Sequence, residues 1–296
     1  MGGVRALDTV VGLGPGEHGS WGYSGRAALR SVCAVYLAEG MRLKEQLLFV
    51  GGGPRASLLD DLADLPGRDE LLATGQLLVH SFGDLETTAP PAVAGVSSRP
   101  PAGTVAPATG PRLPVESLRR LAEDALSGGF GGLRLAADTT RLVSEAGLTP
   151  RLIAFELAVD AVYATQHATV LCLVDLERVA ARAREVNALH RAQHTGGAEP
   201  TFALSLSPGV VHLVGEIDTT TAGDLARVLG AYGDATSGPL VVDLLELEFI
   251  DVAATRVLAL FQRKMSAEGR SVTFAGVGPA AVNTLRAFAL NGEVTP

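Results

Sequence analysis

Four short apolar runs constrain the fold most: EQLLFVGG (45–52), GQLLVHS (75–81), GGLRLAAD (131–138) and ATVLCLVD (168–175). Each is nearly continuous in apolar residues, the pattern of a strand covered on both faces. Around them, SGRAALRSVCAVYLAEGMRL (24–43), PVESLRRLAEDALSGG (114–129), TPRLIAFELAVDAVYATQ (149–166) and LERVAARAREVNALHR (176–191) carry amphipathic-helix spacing. Strands alternating with helices predict an α/β unit, a mostly parallel sheet with helices on both faces.

From Pro200 onward the same grammar is more compact. TFALSLS and VVHLVGEI flank a Pro208–Gly209 turn, and a helix is expected over about 220–232 with Asp218 or Thr219 as its cap. PLVVDLL is a buried strand, VAATRVLALFQRKMSAEG a helix closed by Gly269, SVTFAGV a strand, and PAAVNTLRAFAL a last helix. The expected division is an N-terminal domain over 1–193, a polar linker over 194–200 and a C-terminal domain over 201–296. The Pro-, Ala- and Gly-rich stretch 87–114 buries too little apolar surface to offset its ordering entropy, and is expected to be a flexible insertion.

Several classes of function are disfavoured. With a formal net charge of −8, dispersed Arg and Lys and only 5% aromatic residues, neither a phosphate-tracking groove nor a base-stacking platform is evident, so no nucleic-acid partner is expected. No apolar run is long enough to span a bilayer, and the N-terminal residues do not read as a secretory signal. Cys33 and Cys172 lie far apart, consistent with a reducing, cytoplasmic location. No nucleophile–base constellation stands out, so an enzyme is not expected, nor is a bound cofactor.

GEIDTTTAGDL (215–225), PLVVDLLELEFIDVAATRVLALF (239–261) and GRSVTFAGVGPAAVNTLRAFAL (269–290) occur in one order across the whole C-terminal segment, which thereby resembles the STAS family of the anti-sigma-factor antagonist type. The resemblance implies a mixed sheet with packed helices. It also implies that the loop and helix after the central strand dock a serine-kinase anti-sigma factor, whose phosphorylation of a Ser in that loop breaks the interface. Here the stretch reads Asp251-Val252-Ala253-Ala254, followed by Thr255 and Arg256. Val252 stands where the phosphoserine would be and has no hydroxyl, so that switch cannot operate through it; Thr255 lies one position beyond the loop. The partner-binding candidates are Asp218, Thr219, Asp251, Val252, Ala253, Ala254, Thr255 and Arg256. Asp251 and Asp218 are equally open to reading as helix caps.

The first 190 residues resemble the MEDS sensory domain, through GEHGSWGYS, EQLLFVGGGPRASLL, GGFGGLRLAADTTRLV and FELAVDAVYATQHATVLCLVDLERV. That family implies sensing of a small, hydrocarbon-like ligand with a His and a Cys among its recurring positions, here His18 and Cys172. Ligands of parallel sheets sit beyond the carboxyl ends of the strands, which adds Gly51, Gly52, Asp138 and Asp175 as ligand-binding candidates. Gly51–Gly53 lead into a helix and could cradle an anion or merely form a tight turn. Pro54 and Arg55 follow where a P-loop needs Gly-Lys-Ser/Thr, so nucleotide hydrolysis is disfavoured. Cys172 is also readable as a small buried hydrophobe. His190 and His194, spaced i, i+4, would share a helix face but lack a third ligand, so no metal site is expected.

The leading expectation is a cytoplasmic regulator with a small-ligand sensory domain and a STAS output that binds an anti-sigma factor or other STAS proteins. The alternatives are a STAS scaffold that self-associates into a homo-oligomer and a degenerate nucleotide-binding protein.

Overall fold

A computed structural model describes residues 3–87, 115–144, 147–163, 167–196, 199–288 and 290. The N-terminal part contains β1 (Arg5–Ala6), β2 (His18–Tyr23), α1 (Gly25–Arg42), β3 (Gln46–Gly51), α2 (Arg55–Asp61), α3 (Arg68–Thr74), β4 (Leu77–Ser81), α4 (Phe82–Thr87) and α5 (Val115–Ser127). It continues with β5 (Leu133–Asp138), the ribbon strands β6 (Val143–Ser144) and β7 (Gly147–Leu148), α6 (Pro150–Tyr163), β8 (Ala168–Asp175), α7 (Leu176–Val179), α8 (Ala183–Asn187) and β9 (Ala192–His194). The C-terminal part contains β10 (Phe202–Ser207), β11 (Val210–Ile217), α9 (Ala222–Ala235), β12 (Leu240–Ile250), α10 (Val252–Ala267), β13 (Val272–Ala275) and α11 (Pro279–Ala287).

The N-terminal strands form one parallel sheet in the order β1-β9-β2-β8-β5-β3-β4. The continuity of the apolar runs has its reason here. Leu47, Phe49, Leu171 and Leu173 pack on one face with Cys33, Tyr36 and Leu37 of α1. Their neighbours Leu48, Val50, Val170, Cys172 and Val174 pack on the other with α5 and α6. Both faces are covered, so these strands are mostly apolar, and the one arginine in them, Arg134 of β5, is buried against Glu45. The expected insertion 87–114 falls almost wholly on residues outside those described, as does part of the expected linker 194–200.

The C-terminal sheet runs β10-β11-β12-β13, with β10 antiparallel to β11 and the other pairs parallel. The α/β class and the mixed C-terminal sheet therefore stand as read from the sequence. Pro208 and Gly209 make the hairpin turn, the glycine at φ +78°, a conformation type II turns reserve for that position. At Gly215 the β11 register shifts; its φ is +85°, and a Cβ there would meet the Thr201 carbonyl oxygen at 2.3 Å.

Two expectations are corrected. The segment 176–191 is not one helix: it breaks into α7, a 3-10 turn at Ala180–Arg182 and α8, then turns into strand β9. His190 and His194 therefore share no helix face; His194 lies in a strand that pairs with β2 and stacks on Trp21, ring centroids 3.7 Å apart. Nor does Asp218 or Thr219 cap α9, whose N-cap position is Thr221. Asp218 instead accepts hydrogen bonds from the Thr220 N–H (2.8 Å) and hydroxyl (2.7 Å), bracing the turn ahead of the helix.

Helix α6 positions everything that follows. Ten of its 14 residues are buried, because it lies between the N-terminal sheet and the C-terminal unit, where it packs on α9 and β10. One cluster of buried residues consequently runs from Leu48 through Phe155 and Val159 to Leu225 and Phe274. Each such side chain contributes roughly 1.5–3 kcal/mol of burial. Phe155, 2% exposed and edge-on to Phe82, is central. Phe155→Ala is predicted to cost about 3–5 kcal/mol in chemical denaturation; a loss below about 1 kcal/mol would contradict this packing.

Candidate functional site

The expected ligand-binding residues separate into two places. Gly51 ends β3, Asp138 ends β5 and Asp175 ends β8, all at the carboxyl edge of the sheet. Gly51, Gly52, Arg141, Arg151, Arg178 and Arg182 line a cavity of about 1020 Å³ there, and Asp138 and Asp175 border its smaller neighbour with Tyr23 and Arg26. Both carboxylates also cap: Asp138 accepts from the Thr140 N–H and Asp175 from the Glu177 N–H. Burial raises the Asp138 carboxyl above its usual range, against the hydrogen bonds from Thr140. Arg151 pairs with Glu86 and Arg182 with Glu185. Arg141 and Arg178 have no ion pair among the described residues, which leaves the cavity positively biased.

His18 and Cys172 lie elsewhere, on the sheet face covered by α6. His18 opens β2, where glycine and serine neighbours had suggested a non-core context; it is buried all the same. Its Nε2 lies 3.2 Å from Cys172 Sγ and 3.4 Å from Glu156 Oε2. Glu156 Oε2 lies 3.6 Å from His190 Nε2, and its Oε1 lies 3.7 Å from Cys172 Sγ. All four side chains are buried, and one donor atom from each falls within 4.8 Å of every other. The sequence reading missed Glu156 and placed His190 with His194. The legible signal was Glu156 and Asp160, i and i+4 in an otherwise apolar helix.

Two further contacts orient the imidazoles. His190 Nδ1 lies 2.9 Å from the Val186 carbonyl oxygen, which can only accept, so Nδ1 carries the proton and Nε2 presents a lone pair. His18 Nδ1 lies 3.1 Å from Asp160 Oδ1. The other oxygen, Asp160 Oδ2, accepts from the backbone N–H of Leu206 in β10 at 2.8 Å. Burial dominates the titration of the group: it pushes His18 down to about 3 and His190 well below the imidazole range, and lifts Asp160 to about 7. Burial, with neighbouring carboxylates, also raises Glu156 and Cys172 well above their ordinary values.

The expected partner-binding residues gather at the far end of the C-terminal sheet. Thr219 donates its hydroxyl hydrogen bond to Asp251 Oδ2 at 2.7 Å, joining the two loops. Asp251 caps α10 by accepting from the Ala254 N–H at 2.8 Å. Asp218, Thr219, Asp251, Val252, Ala253 and Arg256 reach solvent. Ala254 and Thr255 do not: both are 0% exposed, and the Thr255 hydroxyl donates to the Asp251 carbonyl oxygen. Helical phase turns them inward, which removes them from any contact surface and removes Thr255 as a substitute phosphorylation site. The same two elements also expose Leu245 and Phe249 of β12 and Leu260 of α10. β13 pairs only Leu240–Asp243 of β12, so the end of β12 projects beyond it.

The molecule is thus a parallel-sheet domain packed through a shared helix on a small mixed sheet with an exposed, capped helix start. Residues 201–296 match the family described as "Mlab, STAS domain", and residues 103–191 match "MEDS: MEthanogen/methylotroph, DcmR Sensory domain". The C-terminal unit is thus a STAS domain, and the MEDS match takes in α5 through Arg191, including Glu156, Cys172 and His190 but not His18. Among solved structures, an anti-sigma factor antagonist from Mycobacterium paratuberculosis is 29% identical over 30% of this chain and 78% of its own, with a TM-score of 0.27. No curated protein matches the chain. Among the described residues, no helix is long and apolar enough to cross a membrane.

The Asp251 cap yields a pH-dependent prediction. Burial raises its carboxyl, but hydrogen bonds from the Ala254 N–H and Thr219 outweigh that and leave it below the ordinary value. Its contribution is present above the unfolded value of about 3.9 and is lost as pH falls through the lower folded value. Asp251→Ala should therefore cost about 1 kcal/mol near neutrality and progressively less as pH falls below about 3.9. A penalty that stays constant over that range in denaturation curves would rule out the cap.

Proposed function

We propose that this protein is a regulator whose STAS domain binds a protein partner through the Asp251–Arg256 turn and the adjoining end of β12, under control of a small ligand held by the N-terminal domain. The observation that carries the reading is the exposed start of α10, where Val252 is 64% exposed next to the Asp251 cap and follows the exposed Phe249 at the end of β12. The partner is a serine-kinase-type anti-sigma factor, as the STAS resemblance implies, and binding is free of the phosphoserine switch because Val252 offers no hydroxyl. The protein acts by binding rather than by turnover.

For the sensory role, the arginine-lined cavity at the carboxyl edge supports a small polar or anionic ligand. Its position at the strand ends, with the sheet packed on α6, gives occupancy a mechanical route to the STAS domain. That route is packing rather than a demonstrated pathway.

The test is affinity capture from the native cytosol with the full chain and its Val252→Glu variant, with mass spectrometry of partners and of bait phosphorylation. An anti-sigma factor should be retained by an unphosphorylated wild-type bait. Val252→Glu should weaken its binding at least about tenfold, roughly 1.4 kcal/mol, by placing a charge in the contact. Equal retention by both baits would sink the docking surface, and recovery of only this chain or other STAS proteins would favour a scaffold.

A further inference from the structure

The cluster beneath α6 has too few protons for its own acceptors. Both imidazoles spend their N–H outward, His190 on the Val186 carbonyl and His18 on Asp160. Both Nε2 lone pairs therefore face inward, toward the two oxygens of Glu156 and the sulfur of Cys172. Only a carboxyl and a thiol proton remain to serve them. Neither Glu156 Oε2 nor His190 Nε2 has a hydrogen-bond partner among the described residues. Orphaned buried acceptors are costly, and they converge here on one point.

We infer that His18, Glu156, Cys172 and His190 form a closed, four-ligand site for one divalent transition-metal ion of the zinc type, in the core beside the contact between α6 and β10. Ligands about 2.0–2.3 Å from a tetrahedral centre lie about 3.3–3.8 Å from one another. With Glu156 Oε2 as the carboxylate donor, the edges of 3.2, 3.4 and 3.6 Å fall close to that range, and one donor atom from each residue keeps every edge within 4.8 Å. The donor set is two imidazoles, one thiolate and one carboxylate, which suits zinc and related borderline metals rather than magnesium or calcium. A dication with the thiolate and carboxylate is neutral overall, as a buried site requires. Loading releases the thiol proton and the carboxyl proton to solvent.

The outer contacts are those a metal site uses. A carboxylate and a backbone carbonyl hold the distal nitrogens of the two histidines, fixing tautomer and ring orientation. A cavity of about 380 Å³, lined in part by His18, Asp160, Tyr163, His190 and Ser205, reaches the cluster from the seam between the two units and offers a way in. Four protein ligands leave no open position, so the ion is structural or sensory rather than catalytic. Its occupancy bears on the output domain directly, because Asp160 joins His18 to the Leu206 N–H of β10. This goes beyond the partner-binding reading and does not depend on it.

The test uses the full chain, stripped with chelator and titrated with Co²⁺ and with Zn²⁺. One ion per chain should bind. The Co²⁺ form should show the visible bands of a tetrahedral centre and a thiolate-to-metal charge-transfer band, both removed by Zn²⁺. Cys172→Ala should abolish the charge-transfer band and weaken binding on the order of 100-fold or more, and Glu156→Gln should weaken it comparably. Asp160→Asn, outside the donor set, should weaken it about 10–100-fold. Cys33→Ala should leave the band intact, since Cys33 is buried in the other core cluster. The wild-type spectrum decides even where a variant fails to fold: a folded chain with no thiolate band, or with far less than one ion bound, would overturn the site. Undiminished binding by folded Cys172→Ala would do the same.

Discussion

Asp160 is held from two directions at once. One oxygen faces His18 of the N-terminal sheet, and the other accepts from the Leu206 backbone of the C-terminal sheet. Asp160 is only 8% exposed, so both bonds act where the local dielectric is low. A helix apolar nearly all round is stable only where it is enclosed, and here the enclosing surfaces are two different domains. The fold is thereby a single body around α6, whereas the chain reads as two units on a polar linker.

That arrangement explains why polar side chains are tolerated under α6. Burying a histidine or a carboxylate without partners is costly, and the burial of His18, His190, Glu156 and Asp160 shifts each toward its neutral form. Other buried polar side chains on that face are paired, as the Ser20 hydroxyl is with the Asn187 amide oxygen. The seam is also tied near the surface, where Arg191 makes a bidentate pair with Glu246 of β12. Being partly exposed, that pair contributes little beyond orientation. Packing and the Asp160 bridge dominate.

Much of the fold was legible in the sequence, and the exceptions share a physical cause. Strands β3, β4, β5 and β8 are covered on both faces, which leaves short, mostly apolar runs bounded by glycine or acidic residues. β2, HGSWGY, escaped because its glycines replace the expected apolar residues. Those glycines answer close approach: a Cβ at Gly22 would meet Leu176 at 2.9 Å. The residues of the cluster were half legible. His18 and Cys172 came from resemblance, while Glu156 was hidden in an apolar helix whose enclosure only the tertiary structure reveals. His190 was misassigned because a four-residue spacing to His194 fits a helix, and nothing local announces that the chain turns into β9. On the STAS side the cap at Asp251 was readable from Asp before an apolar run. The inward phase of Ala254 and Thr255 was not, since it depends on where the sheet lies.

The most direct measurement of the shared core is amide hydrogen exchange of the full chain, read on the segments 150–163, 202–207 and 272–275, in wild type and in Asp160→Ala. A core shared through α6 predicts that 202–207 exchanges as slowly as 150–163 in wild type. Asp160→Ala should then speed exchange at 202–207 while leaving 272–275 unchanged. Exchange of 202–207 at the rate of an exposed loop, or indifference of that segment to the substitution, would contradict it.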